Sequence, residues 1–471
     1  MRYVSTRGEA PSLDFVEVML AGLARDGGLY VPEVWPSLSR ATIEGFAGKP
    51  YAEVAVEVIR PFVGNGISEA DLSRMAREAY GTFRHPAVAP LTQLNANLFV
   101  LELFHGPTLA FKDLAMQLVA RLMDHVLLQR GERTTIVVAT SGDTGGAAVE
   151  AFRGRAQVDV VVLFPQGRIS DVQRRMMTTA RDGNVHAVAI EGTFDDCQAL
   201  VKAMFNHHAF RDRVRLSGVN SINWARIVAQ TVYYFTAAVA LGAPHRKIGF
   251  TVPTGNFGDV YAGYVASRIG LPVDRLVVAT NVNDILARTF ATGVYEIKDV
   301  IPTTSPSMDI QVSSNFERLL FDAYRRDAKP VRALMGSLAQ SRRFAVSAAA
   351  LKELRGLFTA DRADEQESAA EIRAWMREAD YCIDPHTAVA LAVAEKEVRD
   401  PTVPMVVLST AHPAKFPDAV KAACGHLPTL PEWLADLPTR DERVAVLPAN
   451  QAAVEQFVMS ASRAAREGAV A

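Results

Sequence analysis

The sequence predicts an α/β protein with doubly wound, mostly parallel sheets and helices on both faces. Short, almost continuous runs of Val, Ile and Leu recur between residues 98 and 410, and such runs are typical of strands buried on both faces of a parallel sheet. Amphipathic segments with helical periodicity separate the runs, which indicates helices that cover the sheet. With 471 residues, of which 49% are hydrophobic, the chain is long enough for several domains around substantial cores.

The apolar runs also locate the strands. Ligands of such sheets bind where strands end and helices begin, so the loops that follow the strands are the places to look for a site. Seven runs are predicted strands: "LFVLELF" (98–104), "TTIVVAT" (134–140), "VDVVVLF" (158–164), "VHAVAIEG" (185–192), "KIGFTVPTG" (247–255), "LVVATN" (276–281) and "MVVLST" (405–410).

The pattern divides the chain into four regions. Residues 1–95 are rich in helical periodicity and poor in β-branched runs, while residues 96–215 and 216–430 carry the alternating strands and helices. Residues 431–471 are predicted to form a C-terminal helical extension. Within the third region the pattern is mostly helical from about 283 to 400, and the acidic, alanine-rich "TADRADEQESAAEIRAW" (359–375) predicts a solvated surface helix.

Composition and charge exclude several classes of protein. A net charge of −2 and a pI near 6.6 provide no basic surface for nucleic acid. The longest apolar stretch, 227–244, contains Gln230 and Thr231 and predicts a buried core helix rather than a membrane span. No signal-peptide pattern begins the chain, and three widely spaced cysteines read as reduced thiols, so we expect a soluble cytoplasmic protein. No metal-ligand spacing appears, and no metal is expected.

A lysine occupies the apolar side of a predicted helix in "HGPTLAFKDLAMQ" (105–117). On a helical wheel, Lys112 falls between Val119 and Met123, whereas Asp113 and Gln117 fall on the opposite, polar arc. Burial near a helix N-terminus lowers the pKa of an ammonium group, and a neutral amine is what a Schiff-base lysine needs. The alternative is a structural lysine whose stem packs while its charge reaches water.

Three loops after predicted strands have unusual composition. "TSGDTGG" (140–146) combines hydroxyls and glycines at a helix start and could hold a carboxylate or phosphate, although a capped tight turn explains it equally well. In "TVPTGNFGDVYAG" (251–263), Gly255 and Gly258 free the backbone to wrap an anion. Because neither GxGxxG nor GxxxxGK[ST] occurs, a single phosphate monoester is favoured over a dinucleotide or nucleoside triphosphate. The third loop, in "VVLSTAHPAKF" (406–416), places Ser409 and Thr410 at a strand end.

A buried lysine, a phosphate-binding loop and a hydroxyl at a strand end together describe a site for pyridoxal 5'-phosphate. The lysine would bind the aldehyde, the helix N-terminus the phosphate, and the hydroxyl the ring nitrogen. The sequence therefore predicts a cofactor-dependent enzyme, and a generic α/β binding protein does not account for the lysine.

The sequence resembles a known family, the threonine synthases of the bacterial and fungal type, within the tryptophan-synthase-β-like (fold type II) group of pyridoxal phosphate enzymes. The resemblance extends over almost the whole chain. It is carried by "YVSTRG", "FVEVMLAGLARDGGLYVP", "HGPTLAFKDLAMQ", "SGDTGGAA", "NSINWARI", "PTGNFGDVYAG", "DPHTAVA" and "STAHPAKF". It implies that 96–215 is a smaller cofactor-binding domain, 216–430 a larger one, and 1–95 the N-terminal region of the family.

The resemblance also implies roles for individual residues. Lys112 would be the catalytic lysine that binds the cofactor, and Thr410 would face the pyridine nitrogen and leave it largely unprotonated. The cofactor phosphate would lie against Gly255, Asn256, Phe257, Gly258 and Asp259. The substrate would contact Ser141, Gly142, Asp143 and Thr144 through its carboxylate and Asn220, Ser221, Asn223 and Arg226 through its phosphate.

Several positions in these motifs leave questions open. Asp143 stands where many relatives of the wider group have Asn, and a carboxylate beside the cofactor's 3-oxygen would be repelled unless it is protonated or turned away, so its partner is not assigned. Arg226 suits bidentate binding of a phosphate, but an ordinary Asn-capped helix with a solvent-facing arginine would give the same sequence. His105, His386 and His412 lie in matching motifs without an assigned role.

The implied reaction converts O-phospho-L-homoserine and water to L-threonine and phosphate by β,γ-elimination and hydration, the last step of threonine biosynthesis. The alternatives are a Ser/Thr dehydratase or a threonine-synthase-like phospho-lyase of the same fold, which would release a keto acid. A catalytically idle sensor of phosphorylated ligands is disfavoured by the presence of Lys112 and the complete phosphate loop. The expected partner is the small-molecule substrate, with a monomer or homodimer as the assembly.

Overall fold

The computed structural model describes residues 1–398 and 400–467, and its helices and strands follow the predicted alternation. The first part of the chain contains β1 (Tyr3–Ser5), α1 (Phe15–Ala21), β2 (Tyr30–Pro32), α2 (Arg40–Glu44), α3 (Tyr51–Val63) and α4 (Glu69–Tyr80). It continues with β3 (Leu91–Gln93), β4 (Leu98–Glu102), α5 (Lys112–Arg130), β5 (Thr134–Ala139), α6 (Asp143–Phe152), β6 (Val158–Pro165), α7 (Asp171–Thr178), β7 (Val185–Glu191), α8 (Phe194–Asn206), α9 (His208–Arg213) and β8 (Leu216–Ser217).

The second half begins with the longest apolar helix. It contains α10 (Trp224–Ala240), β9 (Ile248–Pro253), α11 (Gly258–Arg268), β10 (Val273–Thr280), α12 (Ile285–Thr292), β11 (Val294–Glu296), α13 (Phe316–Ala323), α14 (Ala328–Ser341), β12 (Arg343–Ala345), α15 (Ala348–Leu354), β13 (Phe358–Arg362), α16 (Glu365–Ala379) and α17 (Pro385–Lys396). It ends with β14 (Met405–Ser409), α18 (Pro417–Cys424), β15 (Val444–Pro448), α19 (Gln451–Ala461) and α20 (Arg463–Glu467).

Two large sheets form the framework. One has six strands in the order β13-β10-β9-β14-β4-β3, and the other has five in the order β15-β7-β6-β5-β8. Every pairing in them is parallel except that of β3 with β4. The central strands β5, β6, β9 and β14 are buried along their whole length, as their continuous apolar runs predict. The predicted α/β class with mostly parallel sheets is confirmed.

Strand pairing departs from the sequence prediction in three places. Strand β4 hydrogen-bonds to β14 in the six-stranded sheet. The sequence pattern instead places residues 98–104 in the region 96–215, with strands that belong to the other sheet. The C-terminal extension, expected to be helical, contributes β15 to the five-stranded sheet beside β7. The predicted surface helix 359–375 begins only at Glu365, because the residues before it form the edge strand β13 on β10. The boundaries at 95, 215 and 430 stay predictions.

Helix α5 buries more than its apolar arc. Lys112 is 8% exposed, as its place on the wheel predicts, but Asp113 and Gln117 on the polar arc are buried as well. The reason is that α5 is packed between α4, α6 and α10, so that it has little solvent-facing surface. Asp113 is satisfied by Thr108, which donates its backbone N–H at 2.7 Å and its hydroxyl at 2.6 Å.

The apolar segment 227–244 forms most of α10, and its side chains belong to the main hydrophobic core. This confirms the predicted core helix. Among the helices that the structure describes, none is both long and apolar enough to cross a membrane.

A buried arginine fastens the N-terminal region to the rest of the molecule. Arg318 of α13 has no exposed surface, and its guanidinium donates to the carbonyl oxygens of Tyr30 at 3.0 Å and Ile222 at 2.6 Å. It also bonds to Asn315 and lies 5.5 Å from the ring of Trp224. One side chain therefore joins strand β2, the loop before α10 and helix α13.

We expect Arg318→Met to lower the free energy of unfolding by about 2–4 kcal/mol, because buried carbonyl oxygens lose their donors. Urea denaturation followed by circular dichroism measures the change. Arg213→Met, at the exposed end of α9, is the matched control and should stay within about 0.5 kcal/mol of the parent. Equal stability of the two variants would contradict the prediction.

Candidate active site

One cavity opens at the carboxyl ends of the central strands, where loops after β5, β9 and β14 meet the first turn of α5. All the predicted site residues except Gly142 and Asn223 line it. The residues that the prediction did not include are Phe111, Ala139, Thr140, Phe194, Gln198, Gln230, Pro253, Thr254, Ser307, Met308, Ile310 and His386. Segments far apart in the chain thus converge on one site, as the topology of a parallel α/β sheet requires.

Lys112 lies at the N-terminus of α5, inside this cavity. Its Nζ is 3.2 Å from Oδ2 of Asp143 and 4.6 Å from the centre of the Phe111 ring. Burial lowers the pKa of Lys112, while the nearby carboxylate of Asp143 opposes the decrease. The lysine is therefore a buried amine whose proton is held by one carboxylate, which excludes a structural lysine with its charge in water.

Asp143, the first residue of α6, is the centre of a buried charge cluster. Its Oδ1 accepts from the Nε2 of Gln173 at 2.9 Å and lies 2.7 Å from the Nζ of Lys415. Burial alone would raise the pKa of Asp143, but the ammonium groups of Lys415 and Lys112 outweigh it and hold the pKa below its usual range. The carboxylate is thus ionised and turned toward the two lysines, which supplies the partner that the sequence left unassigned.

The loop 255–259 is built to receive an anion. None of its backbone N–H groups donates a hydrogen bond within the described chain, and they lie at the positive N-terminal end of α11. A Cβ atom on Gly255 would lie 2.4 Å from the carbonyl oxygen of Ser307, so only glycine fits there. Phe257 has a φ of 64° and turns the backbone into the helix. These free donors fit the phosphate of pyridoxal phosphate.

Asp259 lies behind this loop with its carboxyl group among tyrosines. Its Oδ1 accepts from the hydroxyls of Tyr233 and Tyr234, whereas its Oδ2 has no hydrogen-bond partner. Burial raises the pKa of Asp259 to about 6, although the two tyrosine bonds act in the opposite direction. A carboxyl group that is readily neutralised avoids repulsion with a phosphate bound nearby.

A second group of donors lies at the start of α10. Arg226 is 2% exposed and donates to the carbonyl of Val219 at 3.1 Å, while its Nε and the Oδ1 of Asn220 lack partners. Burial lowers the pKa of Arg226 to about 10, and the guanidinium stays charged at neutral pH. A buried cation with an unused donor fits an anionic ligand and does not fit the alternative of a solvent-facing arginine.

Asn223 does not belong to this group, which corrects the sequence prediction. It is fully buried as the N-cap of α10, where its Oδ1 accepts from the N–H of Ala225. Its Nδ2 donates to the carbonyls of Met19 and Gly218, both at 2.9 Å. With its donors and acceptor engaged, Asn223 fixes the start of the helix and has no hydrogen-bonding capacity aimed at a substrate.

The loop after β5 offers further donors. The N–H groups of Ser141, Asp143 and Thr144 make no hydrogen bond within the described residues and lie at the N-terminus of α6, which suits a carboxylate. Gly142 adopts a φ of 136° beneath the loop, and a Cβ atom there would lie 2.4 Å from the Gln173 side chain. Gly142 therefore shapes the loop instead of lining the cavity.

Thr410 follows β14 and is fixed by its backbone, because its carbonyl accepts from the N–H of Phe111 at 2.9 Å. This bond ties the end of β14 to the residue before Lys112. The two side chains that would serve opposite ends of a cofactor ring are thus held by one backbone contact.

Sequence reasoning missed Lys415 and Gln173 and left the histidines open. Lys415 could have been noticed as a lysine in "HPAKF" that follows a buried strand. His386 lines the cavity, and its Nδ1 is 2.7 Å from Asp384 while its Nε2 accepts from the N–H of Ser307 at 3.3 Å. Burial lowers the pKa of His412 to about 4, which keeps it neutral.

Comparison with known proteins agrees with this geometry. A family model described as "Threonine synthase N terminus" matches residues 2–80, one described as "Pyridoxal-phosphate dependent enzyme" matches 82–368, and one described as "Threonine synthase, C-terminal" matches 387–458. The threonine synthase of Pseudomonas aeruginosa is 53% identical over 459 residues, which cover 97% of this chain and 98% of that protein.

Two solved structures extend the similarity to the fold. The pyridoxal-phosphate-bound threonine synthase from Brucella melitensis is 60% identical, with a TM-score of 0.95 over 98% of this chain and 100% of that one. The yeast threonine synthase is 37% identical, with a TM-score of 0.92 over 99% of both chains. The chain therefore belongs to the threonine synthase family of pyridoxal-phosphate-dependent enzymes.

Proposed function

We propose that this enzyme converts O-phospho-L-homoserine and water to L-threonine and inorganic phosphate. The observation that carries the proposal is the second anion site: Arg226 lines the cavity as a buried guanidinium with an unpaired Nε, apart from the backbone donors of loop 255–259. An enzyme that binds a phosphorylated cofactor and a phosphorylated substrate needs two such sites. A Ser/Thr dehydratase needs only one.

When bound, pyridoxal phosphate supplies an aldehyde carbon for the amine and a ring that stabilises negative charge on the substrate carbons. Lys112, once its amine is free and neutral, is the group in the cavity that takes and returns the protons at Cα and Cβ of the substrate. Asp143 orients that amine from 3.2 Å. The lowered pKa of Lys112 favours the free base that such proton transfers need.

The remaining donors position the substrate. We assign the free N–H groups of Ser141, Asp143 and Thr144 to the substrate carboxylate and Arg226, with Asn220 and Ser221, to its phosphate. Binding at both ends fixes Cα and Cβ beside Lys112, and the guanidinium balances the charge that develops on the leaving phosphate. Product analysis distinguishes threonine from the keto acid that the phospho-lyase reaction would release.

We propose the cytoplasm as the location and a monomer or homodimer as the assembly. The three cysteines, Cys197, Cys382 and Cys424, are free thiols. Reduced thiols are typical of the cytoplasm. Light scattering of the purified enzyme measures the assembly.

Incubation of the cofactor-loaded protein with O-phospho-L-homoserine should release threonine and phosphate in equal amounts. Lys112→Ala should lose this activity by at least about 1,000-fold, because the variant lacks both the amine that binds the cofactor and the base. Colorimetric phosphate and amino-acid analysis measure the products. Phosphate accompanied by 2-ketobutyrate would replace the proposed function with that of the phospho-lyase.

Arg226→Met should decrease kcat/KM for O-phospho-L-homoserine about 100-fold or more, because a buried phosphate loses its charged partner. Cofactor affinity, measured by absorbance titration, should change little, since loop 255–259 is intact. Arg213→Met is the control for a surface arginine. If the variant binds the cofactor more weakly but its kcat/KM for the substrate is otherwise unchanged, Arg226 belongs to the cofactor site and the assignment is contradicted.

Asp259→Asn should change how stability depends on pH. Because the folded-state pKa of Asp259 is raised from 3.8 to about 6, the folded parent keeps a proton that the unfolded chain has lost between these values. The parent apoprotein therefore loses up to about 3 kcal/mol relative to the variant as pH rises from 4 to 6, and nothing more above that range. Urea denaturation at several pH values measures the difference, with the exposed Asp212→Asn as control. A difference in stability between parent and variant that stays constant from pH 4 to 6 would contradict the raised pKa of Asp259.

A further inference from the structure

Lys415 is a buried charge that the proposed reaction does not use. It has no exposed surface, lies in the 3₁₀ turn Pro413–Lys415 after β14, and is absent from the cavity lining. Its Nζ is 2.7 Å from Oδ1 of Asp143 and donates to the carbonyl oxygen of Thr108 at 2.8 Å. A fully buried ammonium is costly unless it compensates another charge, and here it faces the carboxylate that holds Lys112.

The two oxygens of Asp143 are divided between the two lysines. Oδ2 faces Lys112 at 3.2 Å, and Oδ1 faces Lys415 at 2.7 Å. The shorter contact belongs to the lysine outside the cavity. Lys112 changes its charge and its partners during the proposed reaction, whereas Lys415 is removed from substrate and solvent.

We propose that Lys415 is a positioning residue of the active site: as the fixed counter-ion of Asp143, it keeps that carboxylate ionised and oriented and limits how tightly Asp143 holds the proton of Lys112. The inference rests on Lys112 as the cofactor lysine. It concerns this chain's own charges and does not depend on which phosphorylated substrate is turned over.

The protonation of Lys112 depends on the balance between the charges of Asp143 and Lys415. With Lys415 present, its positive charge offsets part of the negative charge that Asp143 exerts on Lys112, and the amine loses its proton more readily. Without Lys415, the full negative charge of Asp143 would act on Lys112 alone and would favour its protonated form. The opposite imbalance, loss of the Asp143 charge alone, would leave two buried ammonium groups that repel each other.

Other charged and titratable groups around the trio are the same in every variant of the test. Arg226 of α10 and Asp259 of α11 act on Lys112 from the cavity side. Asp113 of α5 and His412 face Lys415 from the other side. Gln173 donates to Asp143 but carries no charge.

The test compares Lys415→Met, Lys415→Arg and the double variant Asp143→Asn/Lys415→Met, with Lys421→Met on the exposed part of α18 as the matched control. Competitive acetylation of each apoprotein across pH, read from the Lys112 peptide by mass spectrometry, gives the pKa of this amine without cofactor or turnover. The pH titration of visible absorbance of the pyridoxal-phosphate-loaded proteins is the second readout. Circular dichroism verifies folding.

We expect Lys415→Met to raise the midpoint for Lys112 by about one pH unit or more, which corresponds to about tenfold less labelling at neutral pH. The double variant should lack this rise and lie at or below the parental midpoint, because Asp143, which acts on Lys112 more strongly than Lys415 does, is removed as well. Lys415→Arg keeps the charge and should also stay with the parent, as should Lys421→Met. The absorbance titration should shift in the same direction as the acetylation midpoint.

A folded Lys415→Met with an unchanged midpoint would overturn the inference, as would a double variant shifted as far as the single one. If Lys415→Met does not fold, the double variant decides: a folded double variant with a midpoint at or below the parental one supports the inference, and one with a raised midpoint contradicts it. Because acetylation needs no substrate, its result is distinguishable from failure of the proposed function in the product assay.

Discussion

The charge balance around Lys112 is the constraint on which the rest of the site depends. An amine that is to react must be buried away from water, yet a buried ammonium without a partner is costly. The chain meets both demands with a single carboxylate, Asp143, placed between Lys112 and Lys415. The first residues of α5 and α6 and the turn after β14 must therefore stay in contact with one another.

The topology explains why these segments meet. The chain leaves β4 in one large sheet, passes through α5 and enters β5 in the other, so Lys112 at the start of α5 lies on the segment that connects the two sheets. Each neighbouring loop also follows a parallel strand and precedes a helix. Free N–H groups and positive helix ends consequently concentrate in one cavity, which suits a cofactor and a substrate that are both anionic.

The local features of this arrangement were predictable from the sequence, and the non-local ones were not. The apolar runs predicted the strands because burial on both faces leaves a pattern in each strand by itself. The pairing of β4 with β14 and the entry of β15 into the second sheet depend on partners distant in the chain. Lys415 escaped notice for the same reason, since its significance lies in Asp143 and not in its neighbours. Asn223 was misassigned because a helix cap and a phosphate ligand both place an Asn before a helix.

The two proposed phosphate sites share one cavity but differ in their donors. Loop 255–259 offers its backbone N–H donors, which are fixed by the fold and suit a group that stays bound. Arg226 offers a charged side chain, which suits a group that arrives and leaves, and the Asn223 cap sets the first turn of α10 so that this arginine faces the cavity. A carboxylate behind loop 255–259 would repel a phosphate bound there, and burial raises the pKa of Asp259 to about 6, which brings its neutral form within reach. Burial disfavours the charged form of Arg226 as well and lowers its pKa to about 10, but at neutral pH this guanidinium still stays charged.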